Sequence, residues 1–147
     1  MRPEAGLWVV DTSIVVGYLR AGRYGEFLRR EIKRGAVVLP GVVLCELHAG
    51  AMTREDRADV ESLRRALGER VVGADVGDWV LAGRCLTRYA GRWGRIKPRD
   101  HLADVLVAAT AARLHATVAA EDVRGMMRWA WALRRLGGRI AVRVPAT

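Results

Sequence analysis

Cysteine, proline, phenylalanine and lysine are all scarce in these 147 residues: two Cys, four Pro, one Phe, and Lys33 and Lys97 as the only lysines. Two cysteines supply no disulfide framework. Cys45 and Cys85 both stand in apolar stretches, so they read as buried thiols of a cytoplasmic, reducing environment. No apolar run approaches the roughly 20 residues that cross a bilayer. Ala36–Cys45 is cut by Pro40 and Gly41, and Leu102–Ala112 carries Asp104. The opening MRPEAGLWVV holds an acid and too short an apolar run for a signal peptide. These gaps argue against a secreted or membrane-spanning chain.

Apolar residues and arginine are abundant. A hydrophobic content of 51% excludes a disordered chain, and the length suits one domain. Lys and Arg number 25, of which 23 are Arg, against 16 Asp and Glu, leaving a net charge of +9. Such a surplus suggests a polyanionic partner, because guanidinium groups grip phosphate oxygens in pairs. A bias of arginine over lysine also commonly reflects genome base composition, so the identity of the cations says less than their net charge.

Short apolar runs rich in β-branched residues occur at Leu7–Val10, Val37–Leu39 and Thr117–Ala119, with weaker candidates at Val71–Val72 and Ile140–Val144. Runs of that kind suit strands buried on both faces. Between them lie helical patterns over Tyr24–Arg34, Val42–Ala51, Arg54–Leu67, Asp75–Tyr89 and Asp100–Leu114, and an additional C-terminal helix around 124–136. Asp100 reads as the N-cap of the fifth of these helices. Alternating strands and helices predict an α/β domain with a small parallel sheet.

Four acids stand apart from the solvated ones. Asp11 ends the WVV run, Glu46 interrupts VVLCEL, Asp104 lies inside HLADVLVAATA, and Asp122 follows TVAA. Each has a plain structural use as well: Asp11 as a helix N-cap, Glu46 reaching solvent, Asp104 as a satisfied helix acid, Asp122 as a turn residue. Together they suggest more, because Asp11 and Asp122 fall at the carboxyl ends of parallel strands, where open α/β sheets place ligands. Four buried carboxylates would repel one another, and a hard divalent cation such as Mg²⁺ or Mn²⁺ would relieve that conflict. Acids holding a metal inside a basic shell are what phosphodiester hydrolysis requires.

The segments VVDTSIV, LPGVVLCEL, LADVLVAATA and ATVAAED, with their acids in that order, resemble the PIN-domain ribonucleases over about Leu7 to Val144. Within that family a compact chain of this length is most similar to the toxin component of VapBC toxin–antitoxin pairs. The resemblance implies a PIN-like fold and a pocket for Mg²⁺ or Mn²⁺ formed by Asp11, Glu46 and Asp104, with Asp122 as the fourth acid. It also implies Ser13 as the residue orienting water or phosphate, RNA as substrate, a cognate antitoxin as inhibitor, and a homodimer or toxin–antitoxin hetero-oligomer. Where the family often carries a second acid and an aromatic after the last pocket strand, this chain has Gly125 and Met126, which leaves Glu121 as a substitute for Asp122.

Arg92, Trp93, Arg95, Lys97 and Arg99 interleave cations and an aromatic in a stretch that reads as an exposed loop, a pattern suited to unpaired RNA. The segment 124–139, with Arg124, Arg128, Arg134 and Arg135 beside Met127, Trp129, Trp131 and Leu136, reads as an amphipathic helix that packs on the domain or a partner in preference to an RNA grip. His48, His101 and His115 have no metal-ligand spacing, though His101 is close enough to Asp104 to touch a substrate. If the four acids share one pocket, the other 12 acids face 25 cations, and the body around the pocket carries +13. A module of another class, a catalytically weak binder of nucleic acid or protein, would use that basic body without the acids.

Overall fold

The computed structural model describes residues 6–147; Met1–Ala5, the first half of the stretch assessed for a signal peptide, lie outside it. Five parallel strands form the sheet: β1 (Trp8–Val10), β2 (Val37–Pro40), β3 (Val71–Val72), β4 (Thr117–Ala119) and β5 (Ala141–Arg143). Their order is β3-β2-β1-β4-β5. The chain therefore builds outward from β1 on one side, then returns to add β4 and β5 on the other. That reversal makes the crevice between the carboxyl ends of β1 and β4 the switch point where such sheets bind ligands.

Seven helices among the described residues cover the sheet: α1 (Thr12–Ala21), α2 (Gly25–Lys33), α3 (Gly41–Gly50), α4 (Arg54–Leu67), α5 (Val76–Trp93), α6 (Pro98–Leu114) and α7 (Val123–Arg135). The central strands are buried because helices cover both faces; Val9, Val10, Leu39, Val118 and Ala119 are at most 1% exposed. Helix α6 presents seven consecutive buried residues, Val105 to Ala111, which explains its nearly unbroken apolar sequence. Helices α4 and α5 open with capping boxes, Thr53 with Asp56 and Asp75 with Asp78. Asp78, buried in its cap, also accepts from the Arg113 guanidinium of α6 at 3.0 and 3.1 Å, which ties the two longest helices together.

Three expectations need correction. Cys45 is exposed, whereas Cys85 is buried. The helical phase of α3 turns Val43 and Leu47 to the core and leaves Cys45 and Glu46 outside. The stretch read as a loop from Gly91 is helical as far as Trp93, so only residues 94–97 connect α5 to α6. Helix α6 begins at Pro98 with Lys97 as N-cap, and Asp100 sits in its first turn. No helix among the described residues is long and apolar enough to cross a membrane.

Candidate active site

Asp11 follows β1 and occupies the N-cap of α1, yet its side chain makes no capping bond. It accepts instead from the Ser13 hydroxyl at 3.0 Å. Ser13 Oγ in turn accepts the backbone N–H of Glu121 at 3.2 Å, and the Asp11 N–H donates to the Ala119 carbonyl at 2.9 Å. The loops after β1 and β4 are thereby stitched together across the switch point. Glu46 of α3 reaches the same edge and accepts from the Thr12 hydroxyl at 2.7 Å.

Asp104 projects from the second turn of α6, and all three other acids act on it. Its pKa is raised from 3.8 to about 6, first by partial loss of water around the carboxyl, then by the charges of Asp11, Glu46 and Asp122; His101 opposes the rise. Asp11 is also raised, mainly by burial and further by Glu46, while the Ser13 hydroxyl pulls the other way. The structure thus brings Asp11, Glu46, Asp104 and Asp122 into one electrostatic unit. They are not four buried groups as the sequence suggested. Asp11 is half-buried and the others are exposed, because they line an open edge and are not embedded in the core.

A depression of about 290 Å³ beside this unit is lined by Asp104 and Asp122, by Arg124 and Arg128, and by Tyr89, His101 and Trp129. Arg128 donates to the Tyr89 hydroxyl at 3.1 Å. Acids and arginines both line it, so the space suits a phosphate bridged by a cation. The donor set is oxygen only, which fits a hard ion. Among the described residues no three His, Cys, Asp or Glu side chains converge as a finished cage. Mg²⁺ tolerates that, since it is held by one or two carboxylates and completes its shell with water and substrate oxygens. The raised pKa values of Asp11 and Asp104 mark a place where added positive charge is favourable.

The sequence left Glu121 as a substitute for Asp122, and the two side chains have different partners. Glu121 faces the other way: Tyr24 donates to it at 2.8 Å and Arg23 pairs with it at 3.0 Å. Asp122 caps α7 by accepting the Gly125 N–H at 2.8 Å and lines the depression. A Cβ on Gly125 would meet the Asp122 carboxylate as it is placed here, so a side chain at 125 has to shift it. Asp122→Ala is expected to cost about 1 kcal/mol through loss of this cap, read from denaturant unfolding. An unchanged midpoint would show that the cap adds nothing to stability.

Of the stretch expected to contact RNA, Arg95, Lys97 and Arg99 are exposed around the short connection. Trp93 is engaged within the protein: Tyr89 and Trp131 pack on it at 4.8 and 5.0 Å, and Arg92 and Arg128 lie over its ring at 4.8 and 5.3 Å. Sequence reasoning missed Thr12, Arg124 and Arg128 as members of the site. The i, i+4 spacing of the two arginines just after Asp122 was the available signal. His48 pairs with Glu61 at 3.0 Å and His115 ends α6 with φ 53°, both structural placements.

The PIN domain family model matches residues 8–129. Among solved structures, FitAB bound to an IR36 DNA fragment is similar, with a TM-score of 0.73 at 19% identity over 95% of each chain. VapBC2 from Rickettsia felis, bound to promoter DNA, gives 0.69 at 17% identity, over 83% of this chain and 92% of that one. DNA-bound VapBC from Salmonella typhimurium gives 0.68 at 18% identity, over 93% and 98%. No curated protein sequence matches the chain. At these identities the solved structures establish likeness of fold.

Proposed function

The chain belongs to the PIN-domain family, and from that premise we propose that it is a divalent-metal-dependent endoribonuclease. We further infer that it is the toxin of a toxin–antitoxin pair, acting in the cytoplasm and restrained by a cognate antitoxin. The observation that carries the nuclease reading is the coupling of Asp104 to Asp11, Glu46 and Asp122 at the β1–β4 switch point. The toxin reading is supported by similarity of fold to structures described as FitAB and VapBC.

Asp11 and Asp104 would hold Mg²⁺ or Mn²⁺, with Glu46 and Asp122 completing the shell directly or through water. Such an ion would supply a nucleophile, by lowering the pKa of water so that hydroxide is available near neutral pH, and would neutralise charge on the leaving oxygen. The chain's own residues set up the rest. Ser13 fixes the Asp11 carboxylate and Thr12 fixes Glu46. Arg124 and Arg128 are placed to hold the phosphate next to the acids. His101, facing Asp104, is within the depression and lowers the cost of its ionisation.

Incubating the full chain with single-stranded RNA is expected to give cleavage with Mg²⁺ or Mn²⁺ and none with excess chelator. Asp11→Asn should lower the rate by about 10²–10⁴, the range for losing a positioned catalytic group. Full activity in chelator, or in Asp11→Asn, would refute the assignment. RNA binding without cleavage under every metal condition would favour the weak-binder alternative.

A further inference from the structure

We propose that the face where α5 meets α7 is a separate binding track for unpaired RNA, leading away from the acid-lined depression. This deepens the nuclease reading and rests on it for the identity of the ligand.

The first observation is where the charge lies. Residues 79–99 and 123–147 contain no Asp or Glu, yet hold 12 of the 25 cations. The remaining 13 cations face all 16 acids, so the rest of the chain is net −3. The whole surplus of +9 therefore belongs to two segments far apart in sequence. Folding brings them together: Tyr89 of α5 stacks on Trp129 of α7 at 4.5 Å, and Trp93 meets Trp131 at 5.0 Å.

The second observation is the shape between them. A groove of about 1020 Å³ is lined by Arg84, Arg88 and Arg92 on one side and Trp131 and Arg135 on the other. The three α5 arginines recur every fourth residue, so they form one stripe with about 6 Å between steps along the axis. None of these four arginines has a carboxylate within 4.0 Å among the described residues. Elsewhere, Arg23, Arg30, Arg34, Arg64 and Arg113 all meet carboxylates. A row of cations without acids in a concave surface points to an anion from outside.

The third observation is continuity. Arg128 lines the depression that holds Asp104 and Asp122, and its guanidinium lies over Trp93 at 5.3 Å. Arg92 lies between Trp93 and Trp131, at 4.8 and 4.5 Å from the two rings, and Arg135 lies 5.6 Å from Trp131. Guanidinium and indole groups thus alternate from the acids to the groove. Stacking on indole holds a guanidinium flat and leaves its edge free to donate to phosphate. A protein partner would call for an apolar centre. Among the described residues the large exposed apolar side chains are Met52, Val76, Trp79, Val80, Met127 and Val144, and none of them lines the groove.

The test is fluorescence anisotropy of a labelled single-stranded RNA of about 12 nucleotides, long enough for one extended site, with the full chain in chelator. The double variant Arg84→Glu/Arg88→Glu is expected to raise Kd at least tenfold and to reduce the salt slope of log Kd by about two. The control Arg54→Glu/Arg57→Glu on α4 makes the same change in net charge away from the groove, and should stay within twofold of the parent. Equal affinity of the groove variant and the parent overturns the proposal, as does equal loss in both variants. The nuclease reading fails separately, if the parent binds this RNA but never cuts it with Mg²⁺ or Mn²⁺.

Discussion

Asp104→Asn is expected to stabilise the metal-free protein while removing its activity on RNA. Asp104 has a pKa of about 6 in the folded chain against an ordinary value of 3.8. Between those two pH values the folded state holds more protons than the unfolded one. Stability of the metal-free parent therefore falls as pH rises from about 4 to about 6, then levels off. Asparagine carries no charge to be repelled by Asp11, Glu46 and Asp122, so the variant should lose that decline and melt at a higher temperature at pH 7. The same repulsion attracts a divalent ion. Mg²⁺ should raise the melting temperature of the parent at pH 7 through binding to the folded state alone, and less so at pH 5, where Asp104 is protonated. The variant should respond weakly at either pH, and its RNA cleavage should fall by about 10²–10⁴. Thermal melts from pH 4 to 8, with and without Mg²⁺, provide the check. Identical pH profiles for parent and variant would mean that Asp104 is not under the strain described.

The same physics sets what could be read without coordinates. All five strands were legible: β1, β2 and β4 as short apolar runs rich in β-branched residues, and β3 and β5 as the weaker candidates at Val71–Val72 and in the alternating Ile140–Val144. The four acids were legible for the complementary reason: each breaks an apolar pattern, and breaking one has a cost that needs a cause. The end of α5 was not legible. The pattern ends the helix at Tyr89 and leaves a loop from Gly91, but Trp93 packs on Tyr89 and Trp131, and that tertiary contact accompanies a helix that runs past Gly91. The orientation of Glu121 was equally hidden, since it is fixed by Tyr24, 97 positions away along the chain. Arg124 and Arg128 illustrate a third kind of miss. An amphipathic reading of α7 fits its buried face, Met126, Trp129, Ala130 and Leu133, but ranks an RNA grip by its arginines second, because the pattern alone does not show that Arg124 and Arg128 look onto Asp104 and Asp122. The surplus of +9 was visible at once, yet the alignment of Arg84, Arg88 and Arg92 with Arg135 along one groove depends on α5 and α7 meeting in space.

Trp129→Ala is expected to be the most destabilising single change in the α5–α7 region, at about 3–5 kcal/mol. Trp129 is 2% exposed and stacks on Tyr89 at 4.5 Å, with His101 at 5.7 Å. Removing the indole leaves a cavity that the rings of α5 and α6 cannot collapse into, since Tyr89, Trp93 and His101 are each held by other contacts. For a domain of this size a loss of that order lowers the melting temperature by about 10 °C or more. The consequence reaches the site because Tyr89 receives the Arg128 bond at 3.1 Å, and both residues line the depression with Asp104 and Asp122. Activity should therefore decline before the chain unfolds. Trp129→Phe keeps an aromatic ring against Tyr89 and should lose less than half as much stability while retaining most RNA cleavage. Trp131→Ala, removing a half-buried ring at the groove, should cost less stability than Trp129→Ala but weaken RNA binding more. Denaturant midpoints set beside RNA affinities for the three variants would separate the ring that supports the site from the ring that lines the track. If Trp129→Ala and Trp131→Ala proved equally destabilising, the division of labour between the two faces of α7 would be wrong.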